Sequence, residues 1–263
     1  MKASFFNLKK NSMSKACSNP QPPNLGGLVN IPNAITCCNL ISGCLAILAA
    51  LLLDAKIALS LIILGAVFDF FDGMTARLLH VSSPIGKELD SLADVVTFGV
   101  APATIVYAAL RVIDYPSFLE PVRDIIPFFA FIMAAFSALR LAKFNLDERQ
   151  AMGFIGLPTP ANALFWGALI VGTHPYFGYP NYAARLTCVI LIGIAVSCWL
   201  LVSEVPMFAL KFKTWGWKGN KLRYIFIITS ALLMIGFAAL GFGVLGISAV
   251  IAWYLILSIV RKT

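Results

Sequence analysis

Four aspartates, Asp69, Asp72, Asp90 and Asp94, sit in a stretch that is otherwise apolar enough for a bilayer. Carboxylates close to hydrocarbon are costly and rare unless they carry function. Asp69 and Asp72 are three residues apart and Asp90 and Asp94 four apart, so on helices each pair shares a face. A short connection containing Ser82, Ser83 and Pro84 lets the two helices turn back on each other, and four carboxylates then converge. Two carboxylates about 6 Å apart repel by roughly 3 kcal/mol at an effective dielectric of about 20. A divalent cation removes that conflict, and an all-oxygen donor set favours Mg²⁺ or Mn²⁺ over zinc. Asp69, Asp72, Asp90 and Asp94 are therefore the expected metal ligands. Gly73 and Ala76 leave their helix face bare for a bulky ligand, and Arg77 offers a planar fork suited to phosphate. Gly86 relieves crowding where the next helix begins. Together these residues describe a diphosphate site in which a carboxylate not consumed by metal accepts a proton. The competing reading is a set of capping or interhelical aspartates. Asp90, near a helix start, suits it best.

The elements that must position this site are membrane helices. The chain is 60% apolar and 12% charged, against roughly 25% charged in soluble domains. Eight segments have the length and hydropathy of spans: roughly 34–53, 57–80, 88–111, 125–145, 157–173, 184–203, 222–241 and 243–260. Sixteen of the 20 Lys and Arg residues fall on the side that also holds both termini. The fold expected is an all-α integral membrane protein, a polytopic bundle of about eight transmembrane helices with both termini cytoplasmic. The turn at 78–87 then faces the cytoplasm, with the aspartates beside it. Residues 1–25 read as a disordered cytoplasmic tail and 26–263 as one membrane domain, with a motif core at 30–165 and additional helices at 184–260. No cleavable signal peptide is apparent. The formal charge of +8 lies in loops between apolar runs, which fits anionic lipid headgroups better than nucleic acid. The six cysteines form no C-x-x-C pair and read as small hydrophobes, not a disulfide framework or zinc site. Pro102, inside the third segment, is a candidate kink.

The run from Asp69 to Asp94 fits D-x2-D-G-x2-A-R-x8-G-x3-D-x3-D at every fixed position and resembles the CDP-alcohol phosphatidyltransferase family. Three further segments are similar to the membrane-bound phosphatidylserine synthases. They are Asp90 to Pro102, Arg140-Leu-Ala-Lys-Phe-Asn145 and Gly156-Leu-Pro-Thr-Pro-Ala161. Pro32-Asn-Ala-Ile-Thr36 with Asn39 also looks like the family. The resemblance implies a phosphatidyl group moved from CDP-diacylglycerol to L-serine, giving phosphatidylserine and CMP. It assigns the first three aspartates chiefly to metal and Asp94 to the base that takes the hydroxyl proton. It also implies a homodimer, while the lack of a targeting segment suits a cell inner membrane and the Lys and Arg count puts the site on the cytoplasmic side. The H-x-K-x4-D motif of the unrelated serine transferases is absent, so direct attack is expected. Arg140, Lys143 and Asn145 are candidates for holding acceptor or phosphate, and ordinary interfacial anchoring explains them equally well. Asn39 is read first as a partner for a neighbouring helix. Two alternatives stay open: a sibling enzyme with another acceptor, glycerol 3-phosphate or an inositol compound, and an ion-coupled transporter, which would place its carboxylates near the midplane.

Overall fold

The structure is a computed structural model that describes residues 30–80, 83–147, 154–208, 216 and 220–260. The expected tail at 1–25 and most of the basic run from Lys211 lie outside the described residues. Helix α1, Ile31–Leu51, starts where Asn30 accepts from the Asn33 amide at 2.8 Å, with proline in the first turn. A turn with Leu53 in the left-handed region (φ 63) leads to Asp54, which caps α2, Ala55–Leu78. Ser83 caps α3, Pro84–Asp94, by accepting from the Gly86 amide at 3.0 Å. Helix α3 runs without a break through a π-helical turn, Val95–Val100, into α4, Ala101–Val112. The irregularity expected at Pro102 thus lies just upstream of it. A proline ring collides with the carbonyl four residues earlier, here at Phe98, and the wider turn accommodates that.

Helix α5, Phe131–Leu146, follows two short 3₁₀ turns. Then come strand β1 (Phe154–Ile155), α6 (Thr159–Thr173), α7 (Pro180–Val202), strand β2 (Pro206–Met207), α8 (Lys221–Ala239) and α9 (Leu245–Val260). Strands β1 and β2 pair antiparallel. Beside them the Gly156 amide donates to Val205 O at 2.9 Å and the Leu157 amide to Leu200 O at 3.0 Å. This clasp fastens the α5–α6 connection to the end of α7.

All eight expected segments are helical. Among the described residues six stretches are long and apolar enough to cross a bilayer, one of them the composite Pro84–Val112. The other two segments give α6, of 15 residues, and α9, of 16, which fall short of a full span. Burial follows the same logic. Trp166, Phe98, Ile62 and Ile105 fill the centre, where α1, α2, α4 and α6 meet. Large apolar side chains such as Leu48, Phe70, Ile192 and Leu232 are exposed on the outside. This is an all-α integral membrane protein, whose apolar exterior suits lipid and whose spans meet their backbone polar groups within helices.

Candidate active site

The last turns of α2 and the first turns of α3 bring three of the four aspartates together. Asp69, Asp72 and Asp90 each offer a carboxylate oxygen, and these oxygens lie within 4.8 Å of one another. At that separation each ionised pair repels by about 3 kcal/mol at an effective dielectric of about 20. The Asp90 Oδ1 is buried and has no hydrogen-bond partner. A buried carboxylate oxygen without a partner, on one of three clustered aspartates, suits a hard divalent cation, so the residues present fit the metal that the motif implies. Asp72 is oriented by Thr36 of α1, whose hydroxyl donates to its Oδ2 at 2.6 Å.

A cleft of about 240 Å³ opens beside this cluster, lined by Asn33 and Thr36 of α1, Gly73 and Ala76 of α2, and Gly86 and Lys87 of α3. A side chain at Gly73 would meet only the Arg77 guanidinium, 4.0 Å from where a Cβ would sit, so this face of α2 is open to a ligand. At Gly86 a Cβ would lie 3.1 Å from Asn33 Oδ1 and Ser83 Oγ, and its absence lets α3 close on α1. The capped N-termini of α1 and α3 both border the cleft, and their partial positive charge favours an anion there.

Asp94 stands outside the cluster of three. It is buried one turn further along the helix, and its Oδ1 accepts from the Asn39 Nδ2 at 3.1 Å. The Asn39 carbonyl in turn accepts from the Thr97 hydroxyl in the π-helical turn at 3.0 Å. Two glycines make this approach possible. A Cβ at Gly43 would stand 2.8 Å from the Thr97 Cα, and one at Gly65 would stand 2.5 Å from the Thr97 Cγ2.

The three secondary candidates separate. Arg140 is buried on α5 and its Nη1 donates to the Thr159 hydroxyl of α6 at 3.4 Å. Its Nε has no partner, and its charge lies within electrostatic reach of Asp94. Lys143 points instead toward the end of α7, with Nζ 3.5 Å from both Val202 O and the Glu204 carboxylate. Asn145 donates to the Ser91 hydroxyl at 2.7 Å, and Lys87 donates to the Asn145 carbonyl at 3.0 Å, so these residues strap α5 to α3. Thr36 is a site residue that the sequence left without a role, and Asn39 was read as bonding a neighbouring helix ahead of donating to the site. Their signal was the spacing Asn33, Thr36, Asn39, which puts three polar side chains on one face of an apolar helix.

Comparison with known proteins gives a consistent picture. A sequence model of the CDP-alcohol phosphatidyltransferase family matches residues 29–204. The chain is 41% identical over 131 residues to a CDP-diacylglycerol–serine O-phosphatidyltransferase of Bacillus subtilis, covering 49% of this chain and 69% of the relative. The protein of the same name from Methanocaldococcus jannaschii is 35% identical over 210 residues, or 80% of this chain and 85% of the relative. That of Mycobacterium leprae is 32% identical over 197 residues, or 72% and 62%.

Proposed function

This chain belongs to the CDP-alcohol phosphatidyltransferase family, and from that premise we propose that it transfers the phosphatidyl group of CDP-diacylglycerol to L-serine, giving phosphatidylserine and CMP. The observation that carries the reading is the triad of carboxylate oxygens within 4.8 Å beside a cleft with two helix N-termini at its rim. Asp69, Asp72 and Asp90 would hold Mg²⁺ or Mn²⁺, with Asp94 at the margin of the same centre. Such a cation supplies charge neutralisation for the diphosphate and the departing CMP. The printed names of the relatives support serine as acceptor.

The chain's own residues do the rest. Gly73, Ala76 and Gly86 leave room for the nucleotide diphosphate against backbone, and the Arg77 fork takes phosphate oxygens. Arg140, with an unpartnered Nε near Asp94, receives the acceptor carboxylate and so sets the serine hydroxyl beside the base. Lys143 and Asn145 support that wall of the site through their ties to α7 and α3. Asp94 takes the hydroxyl proton as the serine oxygen bonds to the phosphatidyl phosphorus. The anhydride P–O bond breaks, and its electron pair leaves with CMP. The diacyl chains lie along the exposed apolar flank of α2, where Phe70 and Phe71 face outward. The positive-inside count supports a site on the cytoplasmic face of a cell membrane.

The test is CMP release by the purified protein supplied with CDP-diacylglycerol and an acceptor panel. Serine-dependent CMP release supports the reading. Release only with glycerol 3-phosphate or an inositol compound would keep the family and replace the acceptor. Uptake of labelled solute into liposomes without CMP would favour the transporter reading.

A further inference from the structure

Asn39 has no role in the chemistry above, yet its placement is tightly determined. It is completely buried on α1 and donates to a carboxylate that is itself 8% exposed. Its own side-chain oxygen has no hydrogen-bond partner and points at the bare face of α2, where a Cβ at Gly65 would come within 2.9 Å of it. The amide therefore makes one side-chain hydrogen bond, and that bond goes to Asp94. A buried amide oxygen left unpaired is a cost that an apolar residue of similar size would avoid. The backbone of the same residue is pinned by the Thr97 hydroxyl, one helical turn beyond Asp94. Side chain and carbonyl of one residue thus grip the α3–α4 rod at Asp94, just before it widens, and at Thr97 inside the wider turn.

We infer that Asn39 is a positioning residue for Asp94: its amide holds Oδ1 and so directs the second carboxylate oxygen toward the acceptor hydroxyl. The inference rests on the proposed role of Asp94 as base. A helix-to-helix tie alone would affect stability. A positioning role affects turnover while leaving donor binding intact, because neither Asn39 nor Asp94 lines the nucleotide cleft.

The experiment compares Asn39→Asp, which keeps the volume and removes the donor, with Asn39→Ala and Asn39→Ser, which leave similar space but differ by a hydroxyl. Each full-length variant is assayed for CMP release with serine, and folding is checked by thermal unfolding in detergent. Expected is a fall in kcat of about 10- to 100-fold for the Asp and Ala variants, the range for a hydrogen bond to a charged group. KM for CDP-diacylglycerol should stay within about twofold, and the Ser variant should recover part of kcat. A folded Asp or Ala variant with wild-type kcat, or a loss carried wholly by KM, overturns the inference. If Asn39→Asp does not fold, the Ala–Ser pair decides by the same criteria. Asp94→Asn is run alongside. Full turnover in that variant removes the base assignment itself, a failure distinct from an inert Asn39 with Asp94 still essential.

Discussion

The α1–α3 end of the molecule and the C-terminal pair α8–α9 are both apolar helices, yet they are held by different physics. In the first region helices are joined by buried polar bonds: Thr36 to Asp72, Asn39 to Asp94, Thr97 to the Asn39 carbonyl, and Ser42 to the Leu61 carbonyl at 2.8 Å. Gly43 and Gly65 let those bonds form by bringing backbones close. In the second region, among the described residues, α8 buries only Phe226 and α9 only Gly246, Ser248 and Ser258. The pair is joined by Trp253 donating to Thr229 at 2.8 Å, by Gly246 against Met234, and by the rings of Phe208, Phe226 and Tyr254. The family match stops at residue 204, ahead of this pair. The contrast teaches that hydropathy marks where helices lie, whereas buried polar groups and missing side chains mark where chemistry has been built.

The sharpest way to break that contrast is at the carboxylate triad. Asp69→Asn or Asp90→Asn should lower CMP release on the order of a thousand-fold, the scale of several kcal/mol of lost charge stabilisation. A chelator should do the same to the unmodified protein, with Mg²⁺ or Mn²⁺ restoring the rate. Next, Arg140→Lys should raise KM for serine about tenfold and leave KM for CDP-diacylglycerol unchanged, since an ammonium cannot reproduce the fork. Unchanged serine dependence would detach Arg140 from the acceptor. Gly65→Ala is a smaller but more telling change. Alanine normally favours a helix over glycine, yet here its Cβ would fall 2.5 Å from the Thr97 Cγ2. Overpacking of that kind costs about 1–3 kcal/mol, so the unfolding midpoint should drop and turnover with it. The least effect belongs to the C-terminal pair. Trp253→Phe removes one hydrogen bond, worth about 1 kcal/mol, and should leave CMP release within about twofold. A large activity loss there would show that the two regions are coupled.

Much of this was legible in the chain. The aspartate spacing, with Gly73, Ala76 and Arg77 between the pairs, fixes a face and a chemistry before any packing is known. Segment hydropathy found helix in each of its eight segments, although the third resolves into α3, the π-helical turn and α4, and two of the eight fall short of a span. What stayed hidden depends on register between helices. Asn39 and Thr36 acquire meaning only when α1 is set against α2 and α3. Lys143 and Asn145 stand beside Arg140 in sequence, where only the guanidinium fork favours Arg140, and the approach of Glu204 and Ser91 then draws them apart from it. The π-helical turn has no sequence mark beyond Pro102, because it arises from fitting Thr97 between two glycines as well as from the proline ring. The shortness of α6 reflects flanking residues drawn into the β1–β2 clasp and a 3₁₀ turn, which a hydropathy window cannot resolve.

That clasp has one more implication, through Gly156. Its φ of 76° is a conformation that side chains resist, and a Cβ there would stand 2.9 Å from the carbonyl oxygens of both Leu201 and Ser203. The hinge between α5 and α6 is thereby riveted to the far end of α7, and Thr159, the hydroxyl that Arg140 leans on, inherits that rigidity.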